Sequence, residues 1–137
     1  MNPDLKYQDI TEKVIGASFE VHSFLGNGFQ EVIFQRALAH ELGKKGLSFE
    51  REIEQHIFHK DLLHPIGTRR ADFVIEEKVL VEIKAVIEMD DVHIAQTLNY
   101  LKAYKFEVGL LINFGSKSLT FKRLILTQSK SVKSINP

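Results

Sequence analysis

The chain has 137 residues, 44% of them apolar and 26% charged, and its 18 Lys/Arg balance its 18 Asp/Glu. That is the composition of one ordinary globular domain with a sizeable core, and no apolar run approaches the roughly 18 residues of a membrane span. There is no cysteine, which excludes disulfides and cysteine-ligated zinc or iron–sulfur sites. No apolar leader opens the chain, so a cytoplasmic protein without a membrane partner is expected.

In chain order, the first helix is expected from about Ile10 to Leu25, with Ile10, Val14, Ala17, Val21 and Phe24 as its apolar stripe. Asp9 is placed to cap it, with Glu12 completing a capping box. Gly26-Asn27-Gly28 stops it. A second helix spans about Phe29 to Leu42, with Ile33, Phe34, Ala37, Leu38, Glu41 and Leu42 on one side and Gly43 and Gly46 at its end.

Strands follow at about Ser48–His59, Arg69–Ile75 and Val79–Ala85, the first two joined by a loop marked by Asp61, His64-Pro65 and Gly67. A third helix covers about Asp91–Tyr104, with Asp90 or Asp91 at its start. The nearly continuous apolar run Glu107–Phe114 is expected as a central strand, buried on both faces. Leu119–Leu126 is expected as an edge strand. The order α-α-β-β-β-α-β-β places the fold in the α/β (α+β) class, a mixed sheet flanked by helices.

Residues 1–126 form the expected single domain, and 127–137 a flexible basic tail. From residue 115 onward the chain carries Lys117, Lys122, Arg123, Lys130 and Lys133 and no acid. Such a segment can contact phosphates or simply remain solvated. No basic footprint covers the whole chain.

The run Val79-Leu80-Val81-Glu82-Ile83-Lys84-Ala85 is apolar enough for a buried strand, yet it carries an acid and a lysine. Positions two apart share a strand face, so Glu82 and Lys84 stand side by side. Buried charge is costly unless paired, hydrogen-bonded or metal-bound. Upstream, Arg70-Ala71-Asp72-Phe73-Val74-Ile75 holds a second acid in an apolar run. With a two-residue turn at Glu77-Lys78, Asp72 opposes Ile83. With a three-residue loop, Glu76-Glu77-Lys78, Asp72 opposes Glu82. The second register collects Ala71, Phe73, Ile75, Val79, Val81 and Ile83 on one wholly apolar face. Because a one-residue slip flips every side chain, this segregation favours the second register.

Two adjacent carboxylates repel, and a Mg²⁺ between them removes the conflict through hard oxygen ligation. A lysine beside them can position a water or stabilise transition-state charge. His93, Gln96 and Tyr100 share one face of the third helix and can offer polar support. Taken singly, each has a plainer explanation: Glu82–Lys84 an ion pair, Asp72 a turn residue, Tyr100 a core aromatic, His93 a surface residue. His56, His59 and His64 lack zinc-ligand spacing.

Asp72 followed by Glu82-Ile83-Lys84 resembles the PD-(D/E)xK signature of the restriction-endonuclease-like nuclease superfamily, with Ala71 where that pattern often has Pro. Gln96-Thr97-Leu98-Asn99-Tyr100 resembles the Q-x-x-x-Y motif of its exonuclease-like branch. Gly28-Phe29-Gln30-Glu31-Val32-Ile33-Phe34 resembles the motif that names the GxxExxY proteins, with Phe34 replacing the naming Tyr. The resemblance implies a restriction-endonuclease-like core and Mg²⁺-dependent cleavage of nucleic acid, DNA before RNA, with Mn²⁺ as a substitute ion. It implies Glu31, Asp72 and Glu82 as metal ligands, Lys84 serving the attacking water, and Gln96 and Tyr100 supporting metal, water or phosphate. A homodimer or a protein partner is compatible with it. The competing expectation is a non-catalytic nucleic-acid-binding or protein-interaction module on the same fold. A third is a structural protein with a buried ion network, costly if any member lacks a partner.

Overall fold

The computed structural model describes residues 6–126 and, as backbone, 132–134. Two helices, α1 (Gln8–Leu25) and α2 (Glu31–Lys44), precede strands β1 (Phe49–Ile57), β2 (Gly67–Ile75) and β3 (Val79–Lys84). Helix α3 (Asp91–Tyr104) then leads to β4 (Val108–Asn113), β5 (Thr120–Leu126) and β6 (Val132–Ser134). One sheet runs in the order β1-β2-β3-β4-β5-β6. All neighbours are antiparallel except β3 and β4, which run parallel because α3 carries the chain across between them. The expected α+β class and element order hold through residue 126.

The sheet is covered on both sides. Ile10, Val14, Ala17 and Val21 of α1 and Phe34, Leu38 and Leu42 of α2 pack with Phe73, Ile75, Val79, Val81 and Ile83. Leu101 of α3 packs on the other side with Leu80, Leu124 and Ala71. Every residue of β4 is buried, as its apolar run predicts for a central strand. Phe34 is fully buried and stacks on Phe114, with ring centroids 5.0 Å apart. That contact seats α2, and with it the polar residues on either side of Phe34.

Several expectations need correction. The α1 cap is Tyr7, in a left-handed conformation without a side-chain cap, and Asp9 falls in the first turn. Phe24 is 90% exposed, because Leu25, four residues after Val21, takes the core-facing position. Strand β5 is not an edge along its whole length: Leu124–Leu126 pair with β6. Arg123 does not belong to a solvated basic segment. It is buried, donates to Thr11 Oγ1 at 2.9 Å and also bonds the Lys6 carbonyl. Val132–Ser134 of the expected tail form β6, and the rest of that segment lies outside the described residues. The α3 start is as expected: Asp90 accepts from Val92 N, and His93 completes a capping box by accepting from Asp90 N.

The β2–β3 register is the three-residue-loop alternative, with Ile75 opposite Val79 and Phe73 opposite Val81. The loop lacks glycine, so Glu76 and Glu77 take left-handed φ values of 54° and 56°. Glu76 Oε2 is anchored by Ser48 N at 2.6 Å and Ser48 Oγ at 2.9 Å, which offsets part of that cost. Among the described residues no helix is long and apolar enough to cross a membrane.

Phe34→Ala removes a fully buried ring. It is expected to cost about 3–5 kcal/mol, measured as a lower urea midpoint with an unchanged slope.

Candidate active site

The site begins where β2 and β3 part. Their ladder ends at Phe73–Val81, and beyond it the two acids take over the bonding. Asp72 N donates to Glu82 Oε1 at 3.0 Å, and Ile83 N donates to Asp72 Oδ2 at 2.7 Å. Each carboxylate thus accepts a backbone N–H from the opposing strand. The expected facing pair is present, and it closes the sheet at that point.

Burial decides the electrostatics. Glu82 is 5% exposed, wedged between β2 and the fully buried β4. Desolvation, then the Asp72 charge, push its pKa up to about 9; the Asp72 N–H and Lys84 oppose this. Asp72 is also raised, mainly by burial, against the Ile83 and Gln35 hydrogen bonds and the Lys84 charge. The pair therefore holds less than two negative charges near neutral pH.

Glu31 is the first residue of α2, one turn before Gln35. A cavity of about 190 Å³ is lined by Glu31, Val32, Gln35, Glu52 and Asp72. Glu31 opens to solvent, yet partial desolvation still raises its pKa; Lys84 lowers it and Asp72 raises it again. A larger hollow of about 280 Å³, lined by Ser48, Phe49, Glu50, Val74, Glu76 and Glu77, lies by the β2–β3 turn. Its Glu76 is committed to Ser48, so the hollow does not mark the acid pair.

Lys84 does not bond either acid; its Nζ donates to Gln96 Oε1 at 3.2 Å. Its charge nevertheless reaches Glu31, Asp72 and Glu82. Tyr100 is half-buried, and its hydroxyl bonds no group among the described residues. Burial, then the Glu82 charge, raise its pKa. The structure therefore joins Asp72 to Glu82 and Lys84 to Gln96, and leaves Glu31 and Tyr100 as flanking neighbours.

Sequence reasoning missed Gln35. It is buried, donates from Nε2 to Asp72 Oδ1 at 2.8 Å, and accepts from Arg51 Nη2 at 3.0 Å. The available signal was its i, i+4 relation to Glu31, which puts both on one helix side.

Residues 8–124 match the family model described as the PD-(D/E)XK nuclease superfamily. The chain belongs to the PD-(D/E)XK nuclease superfamily. The narrower likeness to the GxxExxY proteins remains a resemblance of motif. No curated protein matches the sequence. Among solved structures, the crystal structure of SSO0001 superposes with a TM-score of 0.53 at 21% identity, covering 88% of this chain. This chain spans 59% of the length of that one, and the likeness is one of fold. Asp72 and the Glu82-Ile83-Lys84 run both fall within the residues that match this PD-(D/E)XK family model.

Whether a divalent ion suits these residues turns on donor chemistry. Asp72 and Glu82 are hard oxygen donors, and Glu82 Oε2 carries no hydrogen bond among the described residues. No three His, Asp or Glu side chains converge to hold an ion by themselves among those residues. Mg²⁺ typically takes one or two carboxylates and completes its shell with waters and phosphate oxygens. The pair fits that mode, with Glu31 as the nearby third acid.

A carboxyl whose folded pKa is raised favours the folded state fully below its unfolded pKa, and loses that contribution as pH rises toward the folded value. In chelator, the parent's melting temperature is expected to fall more steeply than that of Glu82→Gln between about pH 5 and about pH 9. Equal slopes would contradict the raised value.

Proposed function

We propose that this protein hydrolyses phosphodiester bonds of nucleic acid, DNA before RNA, in a Mg²⁺-dependent reaction that Mn²⁺ can also support. The observation that carries the reading is the reciprocal Asp72–Glu82 clasp with Lys84 on the same strand. A divalent ion at Asp72 and Glu82 would supply Lewis-acid polarisation and a lowered water pKa.

The chain's own residues do the rest. Burial and the Asp72 charge give Glu82 its high proton affinity, so a cation neutralises a conflict already present. Gln35 and Ile83 N fix the two Asp72 oxygens, leaving little freedom in that carboxylate. Lys84, held by Gln96, can place its ammonium toward the attacking water or the developing phosphoryl charge. Glu31 faces the same cavity as Asp72 and can extend the metal shell through water. Tyr100 offers a hydroxyl to water or phosphate.

The test is cleavage of labelled single- and double-stranded DNA with Mg²⁺ or Mn²⁺. The parent is expected to cut, while Glu82→Ala and Lys84→Ala lose about 100-fold or more. Lys84→Ala should keep the fold, because Lys84 is half-buried and fills no core position. A Lys84→Ala protein as active as the parent would sink the assignment. Binding of DNA without cutting by the parent would favour the non-catalytic module.

A further inference from the structure

Arg69 and Gln55 face each other across β1 and β2, and both turn toward α3. Gln55 Nε2 donates to the Ala103 carbonyl at 2.6 Å. The Arg69 guanidinium lies over the Tyr100 ring, its carbon 5.1 Å from the centroid. Tyr100 in turn packs edge-on against Tyr104 at 6.3 Å. Arg69 forms no ion pair among the described residues, whereas Arg70 reaches Glu54 at 3.4 Å; Arg51 donates a hydrogen bond to the neutral Gln35.

Two buried polar atoms lack partners among the described residues: Arg69 Nε and Gln55 Oε1. One is a donor, the other an acceptor, on directly opposed residues. Joining them would use one of the five guanidinium N–H groups and leave four. Leaving a half-buried cation without an acidic partner is costly within a fold. A cation–π contact with an aromatic face restrains the intrinsically planar guanidinium, whose donor fork suits bidentate capture of a phosphate. Tyr104, against which Tyr100 packs, takes the N–H of Ala71, the residue before Asp72, so the Arg69–Tyr100 contact borders the acid pair.

We infer that Arg69, held over the Tyr100 ring, is a phosphate-binding residue that grips a nucleic-acid backbone phosphate beside the one attacked at Asp72 and Glu82. The inference rests on the proposed function for its ligand, and its position has a structural cause. Arg69 lies an even number of residues from Phe73, so plain strand alternation would point it into the α1–α2 core. Instead the β1–β2 pairing skips Glu52–Asp72 and resumes at Ile53–Ala71. Glu52 takes φ 50° there. The Tyr104 hydroxyl accepts from Ala71 N at 3.2 Å and donates to the Ile53 carbonyl. Ala71 consequently joins the α3-side cluster, which corrects its expected place beside Phe73, and Arg69 follows it to the α3 side, where Lys84 meets Gln96.

The test measures binding of labelled DNA against salt concentration, with Mg²⁺, in the Lys84→Ala background, where cutting is expected to be lost. Adding Arg69→Gln should weaken binding roughly tenfold and reduce the log–log salt slope by about 0.7–0.9, the value of one phosphate contact. Arg69→Lys should restore the slope but only part of the affinity, because it keeps the charge and loses the fork. Arg70→Gln should change neither. With Lys84 intact, Arg69→Gln should raise KM and leave kcat within about twofold, a split that a merely structural role would not produce. Unchanged binding in Arg69→Gln, an equal loss in Arg70→Gln, or no DNA binding by any variant would overturn the inference. A lower slope for Arg69→Gln in a protein that never cuts would support it while removing the hydrolytic reading.

Discussion

The exchange between Asp72 and Glu82 governs the rest of the structure. An antiparallel ladder normally satisfies its own N–H groups. Here the ladder stops, and two carboxylates complete it from the side. An acid pair inside a sheet would be a liability through repulsion and desolvation. The backbone donors offset part of that cost, and Gln35 adds another from α2. What remains uncompensated appears as the raised proton affinity of Glu82. The fold thus holds a local conflict that a proton or a divalent ion can relieve.

The same point in the sheet reorganises its surroundings. On the β2–β3 turn side of the Glu52–Asp72 position, alternate residues of the β1–β2 ribbon face α1 and α2, as Phe49 and Phe73 do. On the far side of that position, Gln55, Arg69 and Ala71 face α3. Tyr104 occupies the break and ties both strands through one hydroxyl. The acids, the Lys84–Gln96 pair and the Arg69–Tyr100 contact therefore meet where the ribbon changes sides. Helix α2 contributes Glu31 and Gln35 from beyond the sheet, and the stacking of Phe34 on Phe114 sets its position.

Much of this was legible in the residues. Segregation of apolar positions selected the β2–β3 register, because the wrong register would have exposed a core face. The continuous apolar run of β4 announced a central strand, and Asp90 announced the start of α3. The signals failed where tertiary contacts override local pattern. Phe24 lost its place to Leu25 by a fraction of a helical turn, and Ala71 changed sides at a positive-φ residue that no composition rule marks. Gln35 and Arg69 are polar residues in unremarkable local contexts, and only the packed chain shows one beneath Asp72 and the other on Tyr100. Family motifs pointed to Asp72, Glu82 and Lys84, but not to the residues that hold them in place.

The central claim is that the Asp72–Glu82 clasp is a divalent-ion centre. Its most direct test is anomalous diffraction from crystals grown with Mn²⁺. The account predicts an anomalous peak within ligand distance of Asp72 and Glu82, absent from crystals of Glu82→Gln grown alike. Well-ordered crystals of the parent with no peak at those carboxylates, at saturating Mn²⁺, would contradict it.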